Sequence, residues 1–170
     1  MKYVDTKIVF QELPNEITLA INISGCPCAC AGCHSSYLSQ DIGKLLTQEA
    51  LEQLICQNRG ITAISFMGGD ANPKYINILA QYLRFNHSNL KVGWYSGRDK
   101  LPMEIDPNNF DYIKLGPYIS NKGPLNNPNT NQRLYRVVRE EDKTAFLDIT
   151  YLFYKNQTML QQLHQKFLRL

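Results

Sequence analysis

The sequence predicts an α/β fold on a mostly parallel sheet with helices on its outer face, and three observations predict it. Two short β-rich segments, EITLAINI (16–23) and ITAISFM (61–67), flank a helical pattern, TQEALEQLICQN (47–58). A second helical pattern opens at Asn72–Pro73 and leads to a third β-rich segment, NLKVGWYSG (89–97). Strand, helix, strand, helix, strand in that order implies parallel strands joined by right-handed crossovers.

Each element has its own reason. EITLAINI alternates apolar and polar residues and is β-rich, as a half-buried strand does. In 47–58, Ala50, Leu51, Leu54 and Ile55 fall on one helical stripe; Thr47 supplies an N-cap and Arg59–Gly60 a stop. ITAISFM is nearly continuous apolar sequence, which suits a strand covered on both faces. Gly68, Gly69 and Asp70 break that strand. Asn72 then caps the next helix, with Pro73 in the first helical position, where its missing N–H costs nothing. Ile76, Leu79, Ala80 and Leu83 follow at helical spacing. DYIKLG (111–116), NQRLYRVV (131–138) and AFLDITYLF (145–153) read as further strands, and 121–131, rich in Gly, Pro and Asn, as a loop. The tail QTMLQQLHQKFLRL (157–170) carries Met159, Leu160, Leu163 and Phe167 as a helical stripe, with His164 on its polar side. No repeat or low-complexity segment is present.

The bulk numbers narrow the function classes. A chain of 170 residues suits one domain spanning 1–170, and 44% hydrophobic with 19% charged residues is ordinary for a soluble globular protein. The formal net charge is +3 with Lys and Arg scattered, so no nucleic acid partner is suggested. No apolar run approaches the roughly 20 residues of a membrane-spanning helix, so no membrane partner is expected. MKYVDTKIVFQELP also lacks the apolar core of a signal peptide. The expected location is cytoplasmic.

The chemistry concentrates in SGCPCACAGCH (24–34), which holds four of the five cysteines. Disulfides fit poorly, because cytosolic thiols are kept reduced and these four are too crowded to staple distant parts of a fold. A metal centre is the first reading of such a cluster. A four-thiolate zinc site and an iron–sulfur cluster both remain open at this point. Cys26, Cys30 and Cys33 are spaced C-x-x-x-C-x-x-C, and three thiolates can hold three irons of a cubic [4Fe–4S] cluster while leaving the fourth iron open. Gly25, Pro27 and Gly32 let the loop turn tightly. Cys28 lies inside the first spacer and reads as a bystander thiol; Cys56, within a helical pattern, reads as buried and inert. The cysteine loop and the Gly68–Asp70 loop follow successive strands and so should face one another at the C-terminal edge of the sheet.

These motifs resemble the radical S-adenosylmethionine superfamily, whose C-x-x-x-C-x-x-C motif lies in a loop after the first strand of a partial (β/α) barrel. Gly68–Gly69–Asp70 resembles that superfamily's Gly-Gly-Glu element, which binds the methionyl amine. Within the superfamily, SGCPCACAGCH, MGGDANP, VGWYSG and NQR stand in the order found in the activating proteins of the anaerobic ribonucleoside-triphosphate reductase. The resemblance covers roughly residues 1–138 and leaves 139–170 as a C-terminal extension. Met67 stands where the family often has Ser, and Pro73 is displaced by two positions.

The resemblance implies a [4Fe–4S] cluster on Cys26, Cys30 and Cys33, with S-adenosyl-L-methionine bound through Gly32, Cys33, His34, Gly68, Gly69, Asp70, Ser96 and Arg98. Asp70 would accept the methionyl ammonium, and Ser96 and Arg98 would reach the carboxylate or ribose. It implies reductive cleavage of the cofactor to a 5′-deoxyadenosyl radical. That radical would abstract hydrogen from a glycine of the reductase's glycyl radical subunit, with an external one-electron donor such as flavodoxin. No acid–base pair or protein nucleophile is then required. Other readings are a small radical enzyme of the carboxy-deazaguanine synthase type, a non-catalytic zinc-binding module, and a ferredoxin-like electron carrier using Cys28 as fourth ligand.

Overall fold

A computed structural model describes residues 1–141 and 143–154. The tail helix expected at 157–170, with His164, lies outside these residues. Among those described, eight strands form one sheet: β1 (Lys2–Val9), β2 (Thr18–Ile23), β3 (Lys44–Leu45), β4 (Ala63–Met67), β5 (Lys91–Tyr95), β6 (Tyr112–Leu115), β7 (Arg133–Arg139) and β8 (Thr144–Asp148). Two α-helices accompany them, α1 (Gln48–Gln57) and α2 (Pro73–Asn86). The strand order is β3-β1-β2-β4-β5-β6-β7-β8.

The β2–α1–β4–α2–β5 segment is the parallel unit the sequence pattern describes, and β6 extends it in parallel. Thr47 caps α1 by accepting from the Ala50 N–H, and Asn72 caps α2 by accepting from the Tyr75 N–H, with Pro73 next in line. The helices place Leu51, Leu54, Ile76, Leu79 and Leu83 against Ile21, Ile64, Phe66, Val92, Trp94 and Ile113 of the strands, forming the main core. Alternate residues point to the opposite face, where Leu13 lies against Gly93; a Cβ there would come within 2.9 Å of the Leu13 side chain.

The expected partial (β/α) barrel of the radical SAM type, with helices on its outer face, is overturned. The sheet is mixed rather than mostly parallel, with three parallel pairings in the middle and two antiparallel pairings at each flank, and carries only two α-helices among the described residues. The reason is in the connections. A barrel of that kind needs a helix after each strand, but β5 reaches β6 through a loop with one 3-10 turn, Pro107–Asn109. After Gly116 the chain loops back antiparallel as β7, and β8 follows antiparallel again. At the other flank β1, not expected from the sequence, pairs antiparallel with β2. Its charged residues Lys2, Asp5 and Lys7 suit a strand that is incompletely covered. Cys56 is exposed rather than buried, because two residues beyond core-facing Leu54 the helix has turned about 200°.

One buried carboxylate ties the far side of the sheet together. Asp111 accepts from the Val92 N–H at 2.9 Å and Arg84 Nη2 at 2.8 Å, and Arg139 Nη1 lies 3.3 Å away. Burial disfavours its charged form, but the Val92 N–H, Arg84 and Arg139 outweigh that and hold its pKa below the ordinary value. Stability from Asp111 is therefore present above the usual carboxylate range and lost as pH falls through the depressed folded value. Asp111→Asn should lower unfolding free energy at neutral pH by about 3 kcal/mol, since it leaves two guanidinium groups short of their counter-charge. Urea unfolding should show that gap narrowing as pH drops below about 4.

Candidate iron–sulfur site

The site is built at the C-terminal edge of the parallel strands by the loops that follow β2, β4, β5 and β6. After β2 the chain enters the cysteine loop, held by Gly25 N–H to the Gln40 carbonyl (3.0 Å) and Cys26 N–H to the Leu38 carbonyl (2.9 Å). Gly25 and Gly32 take left-handed conformations, which glycine adopts without strain. Ala29 does so too, at φ 43°, and for a residue with a Cβ that costs on the order of 1–2 kcal/mol. All four loop cysteines are free thiols of intermediate exposure.

After β4, Gly68 and Gly69 are both left-handed. The Gly68 N–H donates to the Tyr95 carbonyl at 2.9 Å, and the Gly68 carbonyl accepts from Trp94 Nε1 at 2.7 Å. This turn delivers Asp70 into the interior, where it is 1% exposed. Its Oδ1 accepts from Ser96 Oγ at 2.5 Å and its Oδ2 from the Gly97 N–H at 3.0 Å. Arg98 Nη2 donates to the Asp70 carbonyl at 2.8 Å, and Arg98 Nε lies 3.7 Å from Oδ1. Asp70 thus turns toward the loop after β5, while Asn72 caps α2. Ser96 and Arg98, expected to reach a ligand's carboxylate or ribose, are the residues that fix Asp70.

The two loops meet as their order in the sheet requires. The Sγ atoms of Cys26 and Cys28 and a carboxylate oxygen of Asp70 lie within 4.8 Å of one another. Cys28 Sγ donates to Asp70 Oδ2 at 3.8 Å. Burial, Asp70 and Cys26 push the Cys28 thiol up to about 12. Cys30 and Cys33 are joined by the Cys33 N–H to the Cys30 carbonyl (3.2 Å) but stand outside that close group. His34 is exposed, with Nδ1 3.1 Å from Ser35 Oγ. A Cβ on Gly32 would touch Tyr118 and Ser120, so the loop after β6 runs beside the cysteines. Asn131 steadies that loop by donating to the Pro117 carbonyl at 2.9 Å.

Lys114 is the residue that sequence reasoning passed over. Buried on β6, its Nζ donates to the carbonyls of Gly116 (2.6 Å) and Ser96 (3.3 Å). Burial pulls its pKa down to about 8, opposed by the negative charge of Asp70, Cys30, Cys28 and Cys33. A lysine within an apolar strand was the available signal, since lysine is rarely buried without a function or a partner.

Four free thiols on one glycine-turned loop, beside a buried cation, are a donor set suited to an iron–sulfur cluster. Residues 17–104, just over half of the chain, match the 4Fe-4S single cluster domain family. The chain belongs to that family. No curated protein and no solved structure matches it. The single cluster domain takes in β2, the cysteine loop, α1, β4, Asp70, α2, β5, Ser96 and Arg98, while Lys114 falls beyond the matched span. Among the described residues no helix is long and apolar enough to cross a membrane.

The turn that presents Asp70 leaves no room for a side chain at Gly69, where a Cβ would lie 2.5 Å from Ile76 Cδ1. Combining left-handed strain with overpacking, Gly69→Ala should destabilise the domain by about 2–4 kcal/mol. Thermal unfolding by circular dichroism checks this, and an unchanged midpoint would contradict the packing just described.

Proposed function

We propose that this single cluster domain is a radical S-adenosylmethionine activase that acts on the glycyl radical subunit of the anaerobic ribonucleoside-triphosphate reductase. The observation that carries the reading is the facing of the cysteine loop and the desolvated Asp70 across one strand edge. A mixed sheet serves this as well as a barrel, since only the parallel strands β2, β4, β5 and β6 need deliver their loops to the same edge.

In this reading Cys26, Cys30 and Cys33 hold the cluster and leave one iron for the cofactor. When bound, cluster and cofactor supply reductive cleavage to a 5′-deoxyadenosyl radical, which takes hydrogen from a glycine of the partner. The protein's own residues prepare that event. Asp70, held by Ser96 Oγ and the Gly97 N–H, presents a fixed carboxylate to the methionyl ammonium, a charge-assisted contact. Lys114 places a buried positive charge beside the thiolates and offsets the charge they and Asp70 concentrate there. Gly32, Cys33 and His34 line the loop side of the cofactor site, and Gly68 and Gly69 line the other. The electron comes from an external one-electron donor such as flavodoxin.

Anaerobic reconstitution with iron and sulfide, followed by electron paramagnetic resonance of the reduced protein, tests the reading. A [4Fe–4S]⁺ signal that changes on adding S-adenosylmethionine, then a glycyl radical on the reductase, is the expected result. A signal indifferent to the cofactor would favour the electron carrier. A colourless protein with one zinc would favour the binding module. Turnover of a small molecule with no radical on a partner protein would favour the carboxy-deazaguanine synthase type. Asp70→Asn should weaken S-adenosylmethionine binding about 10–100-fold in calorimetry, the worth of one hydrogen bond to a charged group, with iron content unchanged.

A further inference from the structure

The four-thiol loop contains one thiol more than the three-cysteine motif uses, and the extra one is the thiol bonded to Asp70. Cys28 Sγ lies 3.8 Å from Asp70 Oδ2 and inside the group formed with Cys26. It also has a prepared seat. A Cβ on Gly97 would come within 2.6 Å of Cys28 Sγ, so the absence of a side chain at 97 is what admits the sulfur. The chain turns on the strained Ala29 immediately afterwards, and strain of this kind persists where the surrounding structure holds it in place. A thiol seated against glycine, bonded to a desolvated carboxylate and followed by a strained residue is positioned, not incidental.

We propose that Cys28 is a displaceable fourth ligand, which caps the cluster's open iron until S-adenosylmethionine takes its place. This inference rests on the function proposed above and replaces the bystander role given to Cys28 by spacing alone. Asp70 faces both groups: it accepts from the free Cys28 thiol in the present structure and would accept from an N–H of the cofactor's amine in the bound one. The exchange balances without an oxidant or reductant. The iron–sulfur bond to Cys28 breaks as the amino nitrogen and carboxylate oxygen of the cofactor bind. The ammonium gives up one proton, and the released Cys28 thiolate takes one up, with Asp70 between them. No electron moves in this step. The capped state leaves no iron coordination position open to water or oxygen, so the cluster is guarded while the cofactor is absent.

The test compares the full chain with Cys28→Ala and with Gly97→Ala, which keeps the thiol but fills its seat. All three are reconstituted anaerobically and studied by Mössbauer spectroscopy before and after adding S-adenosylmethionine. Without cofactor, the parent should show four thiolate-like iron sites, and both variants should show one distinct iron with oxygen or nitrogen ligands. With cofactor, the three spectra should converge. Both variants should also bind S-adenosylmethionine about tenfold more tightly, as expected when a capped form that holds about nine-tenths of the population is removed. They should lose one iron to a [3Fe–4S] form faster on brief exposure to air.

A distinct iron in most of the cofactor-free parent, or equal affinity in parent and Cys28→Ala, would overturn the proposal while leaving the activase reading intact. Failure of Cys28→Ala to hold a cluster that the parent holds would make Cys28 a permanent ligand and overturn it equally. A parent cluster indifferent to S-adenosylmethionine would remove both this exchange and the function it rests on.

Discussion

A carboxylate with almost no contact with water cannot be left unsatisfied, and that constraint organises this end of the molecule. Asp70 meets it with donors from the loops that leave the two strands flanking its own: Ser96 Oγ and the Gly97 N–H after β5, and the thiol of Cys28 after β2. Ser96 and Arg98 are in turn fixed from β6, through the Ser96 N–H to the Lys114 carbonyl (2.9 Å) and the Gly116 N–H to the Arg98 carbonyl (2.7 Å). Three successive strand-end loops are thereby joined around one charge. Breaking an ion pair or hydrogen bond here costs more than on the surface because the remaining partner stays buried.

The parallel register makes this possible. Ala20, Ser65 and Gly93 lie side by side across β2, β4 and β5, so the strands end at comparable heights. The loops that leave them begin as neighbours. The helices enforce the arrangement from one face, with Leu51, Leu54, Ile76, Leu79 and Leu83 in a single apolar cluster. They are also linked to each other: His87 Nε2 lies 2.6 Å from Glu52 Oε1, and Tyr82 donates to the same carboxylate. The bond to His87 is the main reason Glu52 stays below its ordinary pKa, with the Tyr82 hydroxyl adding to it against the opposing effect of burial.

What the sequence made legible was local and periodic. The stripes in 47–58 and 72–86, the caps at Thr47 and Asn72, and the breaks at Gly60 and Gly68 each follow from chemistry within a few residues. The facing of the cysteine loop and Asp70 followed from strand order. The barrel expectation fails on a plain local sign: 97–110 has no helical stripe, and Pro102 and Pro107 interrupt it. β1 is not legible in the sequence because a charged flanking strand lacks the apolar alternation of a half-buried one. Lys114 and the seating of Cys28 on Gly97 depend on contacts between strands far apart in sequence, and no spacing rule encodes those.

Trp94 gives the molecule an optical property of its own. It is the chain's single tryptophan, fully buried, and its indole N–H is bonded to the Gly68 carbonyl. Ultraviolet emission from this protein therefore originates largely at one ring, anchored to the backbone turn that presents Asp70. Iron–sulfur chromophores absorb in the range where indole emits, so a cluster on the cysteine loop should quench that emission. The fold carries its own fluorescent gauge of whether the cysteine loop is loaded, with no label added.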